Sequence, residues 1–287
     1  MTSTDPASRP SLVVPAPAKV NLFLHVVGRR DDGYHLLESL FVLVDLADTL
    51  TLTLDRTGCI ARANDVQGVP VTEDLALRAA HALKRACGTP LGVVIEVRKR
   101  IPMGAGLGGG SSDAASVLLA LNRLWDLRMP RAQLASIGAE LGADVPFFVH
   151  GENALVSGIG ECIRPVSLPR RWLALAMPAV HVPTAAIFAS PQLTRSAASA
   201  KMSVFSESYG RNDLEPIAAS RYPDVAQAIT VLGRIVSGAR MSGSGAVVFA
   251  ACESEKAARA AVSALPEALA GRAVVTLARH PLAEFAY

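Results

Sequence analysis

The sequence predicts a protein of the α+β class with two domains. Near residue 100 a strand, a glycine-rich loop and a helix follow one another, and the last third of the chain has the pattern helix, strand, helix, strand. The 287 residues suffice for one large domain or two modest ones, each with its own core. Apolar residues make up 51% of the chain and charged residues 18%, which is typical of a globular protein and not of a disordered one.

The chain begins with a polar, proline-containing segment, residues 1–10, which is predicted to be disordered, with order beginning near Leu12. In the apolar segment KVNLFLHV that follows, alternation places Lys19 and Asn21 on one face of a strand. Because the chain has only five lysines, one inside an apolar strand requires a reason. Lys19 could lie on an edge strand and reach water, or it could lie on the floor of a pocket. The polar Asn21 on the same face favours the pocket.

A turn at DDG, residues 31–33, is predicted to return Tyr34 and His35 toward this first strand. A lone histidine is more often structural than a ligand, so the residues alone assign no role to His35. The next segment, FVLVDLADTLTLTL, predicts two strands joined by a turn from Asp45 to Asp48.

The segment IPMGAGLGGGSSDAA, residues 101–115, is predicted to bind phosphate. Before it, GVVIEVRKRI alternates apolar and charged residues as a half-exposed strand does. After it, apolar residues recur at helical spacing, with Ser111 or Ser112 predicted to cap the first turn. Glycines let successive amides point into one concavity, and a helix N-terminus adds unpaired amides and the positive end of its dipole.

Familiar nucleotide-binding loops fit this segment poorly. Gly104, Gly106 and Gly109 match GxGxxG, but the acidic residue expected about 20 positions later on a second strand would fall where the helix is only just ending. A Walker A loop requires lysine where Gly110 stands, and the HRD and DFG strings of protein kinases do not occur. A lysine that serves this loop must therefore come from elsewhere in the chain.

Asp144 lies in GADVPFFV, where a helix is predicted to give way to an apolar strand because Pro146 stops the helix. Its carboxylate either bonds to local amides in the turn or stands on a rigid junction beside apolar walls, where burial and a nearby cation set its basicity. The residues alone leave both interpretations open.

The remaining elements complete the α+β pattern. They are a helix over residues 72–87 capped by Thr72, a helix from Pro130 to Leu141, a hairpin over residues 152–166, a buried strand in WLALAMPAV, a weakly patterned loop over residues 190–208, a helix beginning at NDLEP, and the alternating helices and strands of the last third. Within that third, MSGSGAVVF is a second glycine loop that opens onto a buried strand, for which a tight turn is the simpler account.

Composition excludes several classes of protein. A net charge of +3 and 5% aromatic residues argue against a nucleic-acid surface. The N-terminus lacks the features of a signal peptide, and no apolar run approaches the length of a membrane span. The four cysteines form no CxxC pair, so neither a zinc site nor a disulfide framework is indicated, and we expect a cytoplasmic protein.

Three segments in chain order, PAKVNLFLHVVGRRDDGYHLLESLF, PMGAGLGGGSSDAA and MSGSGAVVF, resemble the three motifs of the GHMP small-molecule kinases. The combination of DGYH, GLGGGSSDAA, GADVPFF and NDLE is similar to the branch of that family that acts on cytidine-diphosphate-linked methylerythritol in non-mevalonate isoprenoid synthesis. Homoserine and mevalonate kinases share the second motif but not the combination of DGYH and GADVPFF.

The resemblance implies a ribosomal-protein-S5-like N-terminal domain over residues 11–164, a ferredoxin-like C-terminal domain over residues 165–287, and a cleft between them. It implies ATP and Mg²⁺ as cofactors and Lys19 and Asp144 as catalytic residues, without assigning metal ligands. The residues implied to bind substrate are Asn21, Tyr34, His35 and Phe188. Those implied to bind ATP are Pro102, Met103, Gly104, Ala105, Gly106, Leu107, Gly108, Gly109, Gly110, Ser111 and Ser112, although Ser112 fits a helix cap equally well.

The implied reaction transfers the γ-phosphoryl group of ATP to the 2-hydroxyl of the methylerythritol moiety. Three alternatives stay open at this point. They are a GHMP kinase of the homoserine or mevalonate type, a dinucleotide-dependent oxidoreductase that uses GAGLGG, and a catalytically silent binding protein of the same fold.

Overall fold

The structure is a computed structural model, and it describes residues 9–194 and 210–287. Two predictions therefore fall largely outside the described residues: the disordered N-terminus over residues 1–10 and most of the loop over residues 190–208. In the described ranges, none of the helices has the length and apolar character that a membrane span requires.

Two long antiparallel strands organise the first sheet. They are joined by the predicted DDG turn, where Gly33 has a φ of 93°, a value that glycine adopts readily. Within the described residues this sheet has six strands: β1 (Ser11–Arg29), β2 (His35–Asp55), β3 (Ile60–Arg62), β4 (Gly92–Arg98), β5 (Ala154–Gly158) and β6 (Cys162–Pro165). β1 lies along β2, which also pairs with β5 near its start and with β4 near its end. The pair β5 and β6 is the predicted hairpin.

β2 shows that the predicted turn from Asp45 to Asp48 is wrong, because the strand is continuous through both residues. Each aspartate is satisfied by another segment and not by a local turn. Asp45 Oδ1 accepts a hydrogen bond from the amide of Val275 at 2.9 Å. Asp48 is fully buried, pairs with Lys99 and accepts a hydrogen bond from the amide of Ile101 at 2.9 Å.

Helices α1 (Leu75–Cys87), α2 (Gly109–Leu124), α3 (Arg131–Ala139) and α4 (Val145–His150) pack together beside this sheet, with α2 against β1 and β2. The cap of α1 is Asp74 and not Thr72, since the Asp74 carboxylate accepts hydrogen bonds from the first free amides of the helix. The strand predicted after Asp144 is also wrong, because that segment forms α4. Pro146 lies in the first turn of α4, where its missing N–H breaks no helical hydrogen bond, so it begins this helix.

The second sheet has four antiparallel strands in the described residues, in the order β10, β7, β9, β8. Its elements are β7 (Trp172–Met177), α5 (Thr184–Phe188), α6 (Glu215–Arg221), α7 (Pro223–Ile235), β8 (Arg240–Met241), β9 (Val248–Cys252), α8 (Glu255–Ser263) and β10 (Ala270–Val275). Of these four strands, β7 and β9 form the centre of the sheet, and β10 and β8 form its edges. This is the strand order of a ferredoxin-like sheet.

The two sheets share a buried cluster. Val44 of β2 lies in it with Leu175 of β7 and Phe249 of β9, and so do Ile101 and Leu107 of the glycine loop. The loop is therefore anchored by apolar residues where the two sheets meet.

After β10 the chain returns to the first sheet and its helices. The amide of Leu277 donates to Leu43 O at 2.8 Å, and Leu282 is buried in the core of the first sheet. We call residues 277–287 the strap. The predicted division between domains after residue 164 stays a prediction, and the strap belongs by its contacts to the first unit.

Candidate active site

The glycine loop joins β4 to α2, as the sequence predicts. The residue that caps α2 is Gly108, which has a φ of 70°, so neither Ser111 nor Ser112 is the cap. Because the helix begins at Gly109, both serines lie within its first turn. Ser112 is fully buried and its Oγ donates to Pro17 O at 2.6 Å, so its hydroxyl proton points away from the loop.

At two positions in this loop a side chain would collide with a neighbouring segment as the structure stands. A Cβ atom on Gly106 would lie 2.4 Å from Ser242 O, and one on Gly104 would lie 1.9 Å from His181 Nδ1. Both glycines have positive φ values, of 73° and 63°. Ser242, in the MSGSG loop, also donates from its Oγ to Gly106 O at 3.3 Å. The two glycine loops are therefore packed backbone against backbone.

Lys19 and Asp144, predicted from separate segments, lie together at this loop. Lys19 Nζ is 3.6 Å from Asp144 Oδ2, donates to Asn21 Oδ1 and lies 4.5 Å from the centroid of the Phe41 ring. The Lys19 side chain is 5% exposed, whereas that of Asp144 is 30% exposed. Burial lowers the pKa of Lys19, and the Asp144 carboxylate opposes that effect.

Asn21 connects this pair to both sheets. Its Nδ2 donates to Ser39 Oγ of β2 at 2.8 Å, and its backbone amide donates to Ser242 Oγ at 3.1 Å. The backbone amide of Lys19 donates to Leu107 O at 3.0 Å. The face predicted to form a pocket floor is thus held by the second and third motifs.

The NDLE segment holds the MSGSG loop in place. Asn212 Nδ2 donates to Met241 O at 2.8 Å and to Gly243 O at 2.7 Å, and Asp213 Oδ2 accepts a hydrogen bond from the amide of Val26 at 2.9 Å. The motif therefore joins the second glycine loop to β1, and its Leu214 lines the cavity described next.

These segments surround a cavity of about 680 Å³. Among the predicted site residues, its lining includes Lys19, Asn21, residues 102–111, Asp144 and Phe188. It does not include Ser112, Tyr34 or His35. Tyr34 is 62% exposed, and the His35 ring lies 5.3 Å from that of Phe188, so His35 stands behind a lining residue.

Comparison with known proteins gives the chain a family. Residues 74–152 match the N terminal domain of the GHMP kinases, and residues 192–271 match the GHMP kinase C terminal domain. A 4-diphosphocytidyl-2-C-methyl-D-erythritol kinase of Thiobacillus denitrificans is 52% identical over 275 residues, which are 96% of this chain and 99% of the relative. The protein of the same name from Nitrosospira multiformis is 51% identical over 289 residues, which are 100% of this chain and 98% of that relative.

The chain belongs to the GHMP kinase family. A crystal structure of 4-(cytidine 5'-diphospho)-2C-methyl-D-erythritol kinase superposes on it with a TM-score of 0.81 at 36% identity, over 92% of this chain and 99% of the other. The predicted two-domain fold and the assignment as a small-molecule kinase are confirmed, and membership of this family implies the use of ATP.

This GHMP kinase has a second charged cluster at the cavity, which is not among the residues predicted from the sequence. Lys99 Nζ lies 2.5 Å from Asp48 Oδ2 and 2.6 Å from Asp113 Oδ2. Although burial lowers the pKa of Lys99, the two carboxylates raise it above the usual value. Burial raises the pKa of Asp113 to about 7, against the effect of Lys99. Asp113 Oδ1 is buried and has no hydrogen-bond partner among the described residues.

Lys99 lines the cavity, and a Cβ atom on Gly109 would lie 3.4 Å from its Nζ. One signal for it was present in the sequence: the glycine loop requires a lysine from outside its own motif, and Lys99 directly precedes the loop in a chain with five lysines. Asp48 had no such signal, because it is 51 residues away from Lys99.

Proposed function

We propose that this GHMP kinase transfers the γ-phosphoryl group of ATP to the 2-hydroxyl of 4-diphosphocytidyl-2-C-methyl-D-erythritol. The observation that carries the proposal is the Lys19–Asp144 pair, 3.6 Å apart and facing the glycine loop in one cavity. Relatives of that name about half identical over nearly the whole chain support the choice of substrate.

Phosphoryl transfer requires alignment of the two reactants, neutralisation of charge and a group that accepts the hydroxyl proton. In this proposal the amides of the glycine loop hold the β- and γ-phosphates. The 2-hydroxyl oxygen attacks the γ-phosphorus, the bond to the β-phosphate oxygen breaks, and ADP leaves. Asp144 takes the proton, while the Lys19 ammonium keeps Asp144 ionised and offsets the developing negative charge.

Mg²⁺ is proposed as the ion that accompanies ATP. No group of three or more His, Cys, Asp or Glu side chains in the described parts of the chain could hold a metal ion. Mg²⁺ commonly keeps several waters and binds substrate phosphates with only one or two carboxylates. The ion's charge would neutralise the phosphates that the glycine loop holds.

The cytidine end of the substrate is proposed to lie at the ring pair of His35 and Phe188. Base stacking on a protein ring is worth roughly 1–3 kcal/mol. Phe188 lines the cavity and is backed by His35, with 33° between the ring planes. Tyr34 is proposed to close over the base from its exposed position beside them, and Asn21 to contact the substrate from the pocket floor.

A cytoplasmic location is also proposed. Cys59, Cys87, Cys162 and Cys252 are all unpaired in the structure, which suits a reducing compartment.

The test is ³¹P NMR of the protein with Mg-ATP and the proposed substrate, beside Asp144→Asn. We expect a new phosphomonoester signal with release of ADP, and a turnover about 100- to 10,000-fold lower in the variant, as the loss of a general base predicts. Asp126→Asn, which alters a carboxylate 78% exposed in a loop, is the matched control.

The rivals have distinct outcomes in the same experiment. Phosphorylation of homoserine or mevalonate in preference to the cytidylyl substrate would make the chain a GHMP kinase of another type. Binding of NAD without ADP release would favour an oxidoreductase, and binding of ATP without transfer to any alcohol would indicate a silent binding protein. An Asp144→Asn variant with full turnover would remove Asp144 from the role of base.

A further inference from the structure

Helix α4 has the Lys19–Asp144 pair at one end and the strap at the other. Asp144 is the residue that precedes its first turn, and its six residues span about 9 Å. A helix this short has too few internal hydrogen bonds to hold its own position, so the position depends on its neighbours.

The rings of α4 also touch the groups around Lys19. Phe147 packs edge-on against Phe41 with 5.2 Å between centroids, and Phe41 is the ring beneath Lys19 Nζ. Phe148 stands so close to Gly108 that a Cβ atom there would lie 3.0 Å from its ring. A displacement of α4 would therefore change the alignment of Asp144 with the lysine and with the glycine loop.

Arg131, the first residue of α3, holds the far end of α4. Its Nη1 donates to Val149 O at 2.7 Å, and its Nη2 donates to Ala283 O and, at 3.3 Å, to Ala286 O. Its backbone amide donates to Tyr287 O at 2.8 Å. The last carbonyls of a helix have no partner within that helix, so one guanidinium joins the end of α4 to the strap.

The strap is itself fixed at several points. The amide of His280 donates to Gly151 O, directly after α4, at 2.7 Å. Leu282 is 4% exposed in the core, and the Asn122 side chain of α2 donates to Phe285 O at 2.8 Å. Since the strap follows β10, it links the second sheet to the end of α4.

We propose that Arg131 is a positioning residue for the phosphoryl transfer: with the strap, it holds α4 so that Asp144 stays aligned with Lys19 and the glycine loop. The inference rests on the proposed role of Asp144. Arg131 touches no cavity-lining residue in these contacts, so it acts through the helix.

The first test is Arg131→Gln, which keeps a side chain of moderate length and removes the forked cation. A shift of about 1 Å caused far from the chemistry is enough for roughly a 100-fold loss of rate. We therefore expect kcat to fall about 10- to 100-fold, while the KM values for ATP and the alcohol change less than about twofold. Arg128→Gln is the matched control, because that guanidinium is 73% exposed three residues earlier.

A double-mutant cycle with Asp144→Asn separates positioning from general stability. If Arg131 acts through Asp144, Arg131→Gln causes no further fall in the residual rate of Asp144→Asn, since misplacing a base that is already absent has no effect. The same fold-loss in both backgrounds would overturn the inference, and so would an unchanged kcat in folded Arg131→Gln.

Deletion of residues 286–287 is the second variant and covers the case in which Arg131→Gln does not fold. It removes the Ala286 and Tyr287 carbonyl acceptors, and we expect a smaller fall in kcat with the same dependence on Asp144. Far-ultraviolet circular dichroism establishes that each variant is folded. If Asp144→Asn is impaired but the deletion variant is fully active, only the positioning role is refuted. If Asp144→Asn is fully active, both the proposed base and the positioning role are refuted.

Discussion

Two buried groups, Asp113 and His280, are expected to give the stability of the protein opposite pH dependences. Burial raises the pKa of Asp113 from 3.8 to about 7, so the folded state binds the proton more tightly than the unfolded state. Its contribution to the free energy of unfolding therefore falls as pH rises, by about 1.4 kcal/mol per pH unit between about pH 4 and 7. Burial lowers the pKa of His280 from 6.5 to about 3, so its contribution falls as pH falls, with the same slope between about pH 6.5 and 3.

The two slopes nearly cancel between pH 4 and 6.5 in the wild-type protein, and a single substitution exposes either one. Asp113→Asn removes the contribution that falls as pH rises. Its free energy of unfolding minus that of the wild type should therefore increase by about 3 kcal/mol from pH 4 to pH 6.5. For His280→Gln, the same difference should decrease by about 3 kcal/mol over this pH interval. The opposite signs make the pair its own internal control.

The assay is urea unfolding followed by circular dichroism at half-unit steps from pH 4 to 7.5. Asp126→Asn, with its exposed side chain, controls for the removal of a carboxylate as such. An Asp113→Asn curve that runs parallel to the wild-type curve would refute the reasoning, because it would mean that Asp113 binds its proton equally well in the folded and unfolded states.

Two further predictions concern the active site itself. Gly106→Ala places a Cβ atom 2.4 Å from Ser242 O at a φ of 73°, so the loop must shift. We expect the KM for ATP to rise at least tenfold in steady-state assays. Gly233→Ala is the control and should leave the KM unchanged, since the new Cβ atom would lie 3.8 Å from Ala239, an ordinary contact. Lys19→Met removes the buried ammonium but keeps much of the side-chain volume, and turnover should fall at least 100-fold in steady-state assays. A Lys19→Met enzyme that turns over normally would show that the lysine neither supports Asp144 nor offsets charge.

Local patterns predicted most of the elements, since the alternation in β1 and β4 and the helical spacing in α2 survive in the structure. The errors have a common cause. The local sequence favours a turn at Asp45 and the end of a helix at Pro146. In the fold, an amide from β10 satisfies Asp45, and Pro146 falls in the first turn of a new helix. Val275 is too far from Asp45 in the sequence for this contact to be predicted. The helix that begins near Pro146 has only six residues, too few to show a clear helical pattern.

The residues of the site also fall into those with a local signal in the sequence and those placed by distant contacts. The glycine loop and Lys19 have signals within a few residues, because glycine density and a lone lysine in an apolar strand are local features. The Lys99 cluster depends on Asp48, 51 residues away, and on a helix placed by packing. The contact of Arg131 with the strap spans more than 150 residues, so no local rule points to it.

The hydrogen bond between Asn21 and Ser242 spans 221 residues, and this separation sets a limit on when the active site can form during protein synthesis. At about 5–20 residues per second, the ribosome makes Ser242 roughly 10–45 s after Asn21. Through that interval β1 can pair with β2, but the pocket floor lacks the loop that covers it. The nascent chain therefore carries Lys19 beside an unfinished cavity until the second sheet has been synthesised, and this kinase gains its activity only after Ser242 has left the ribosome.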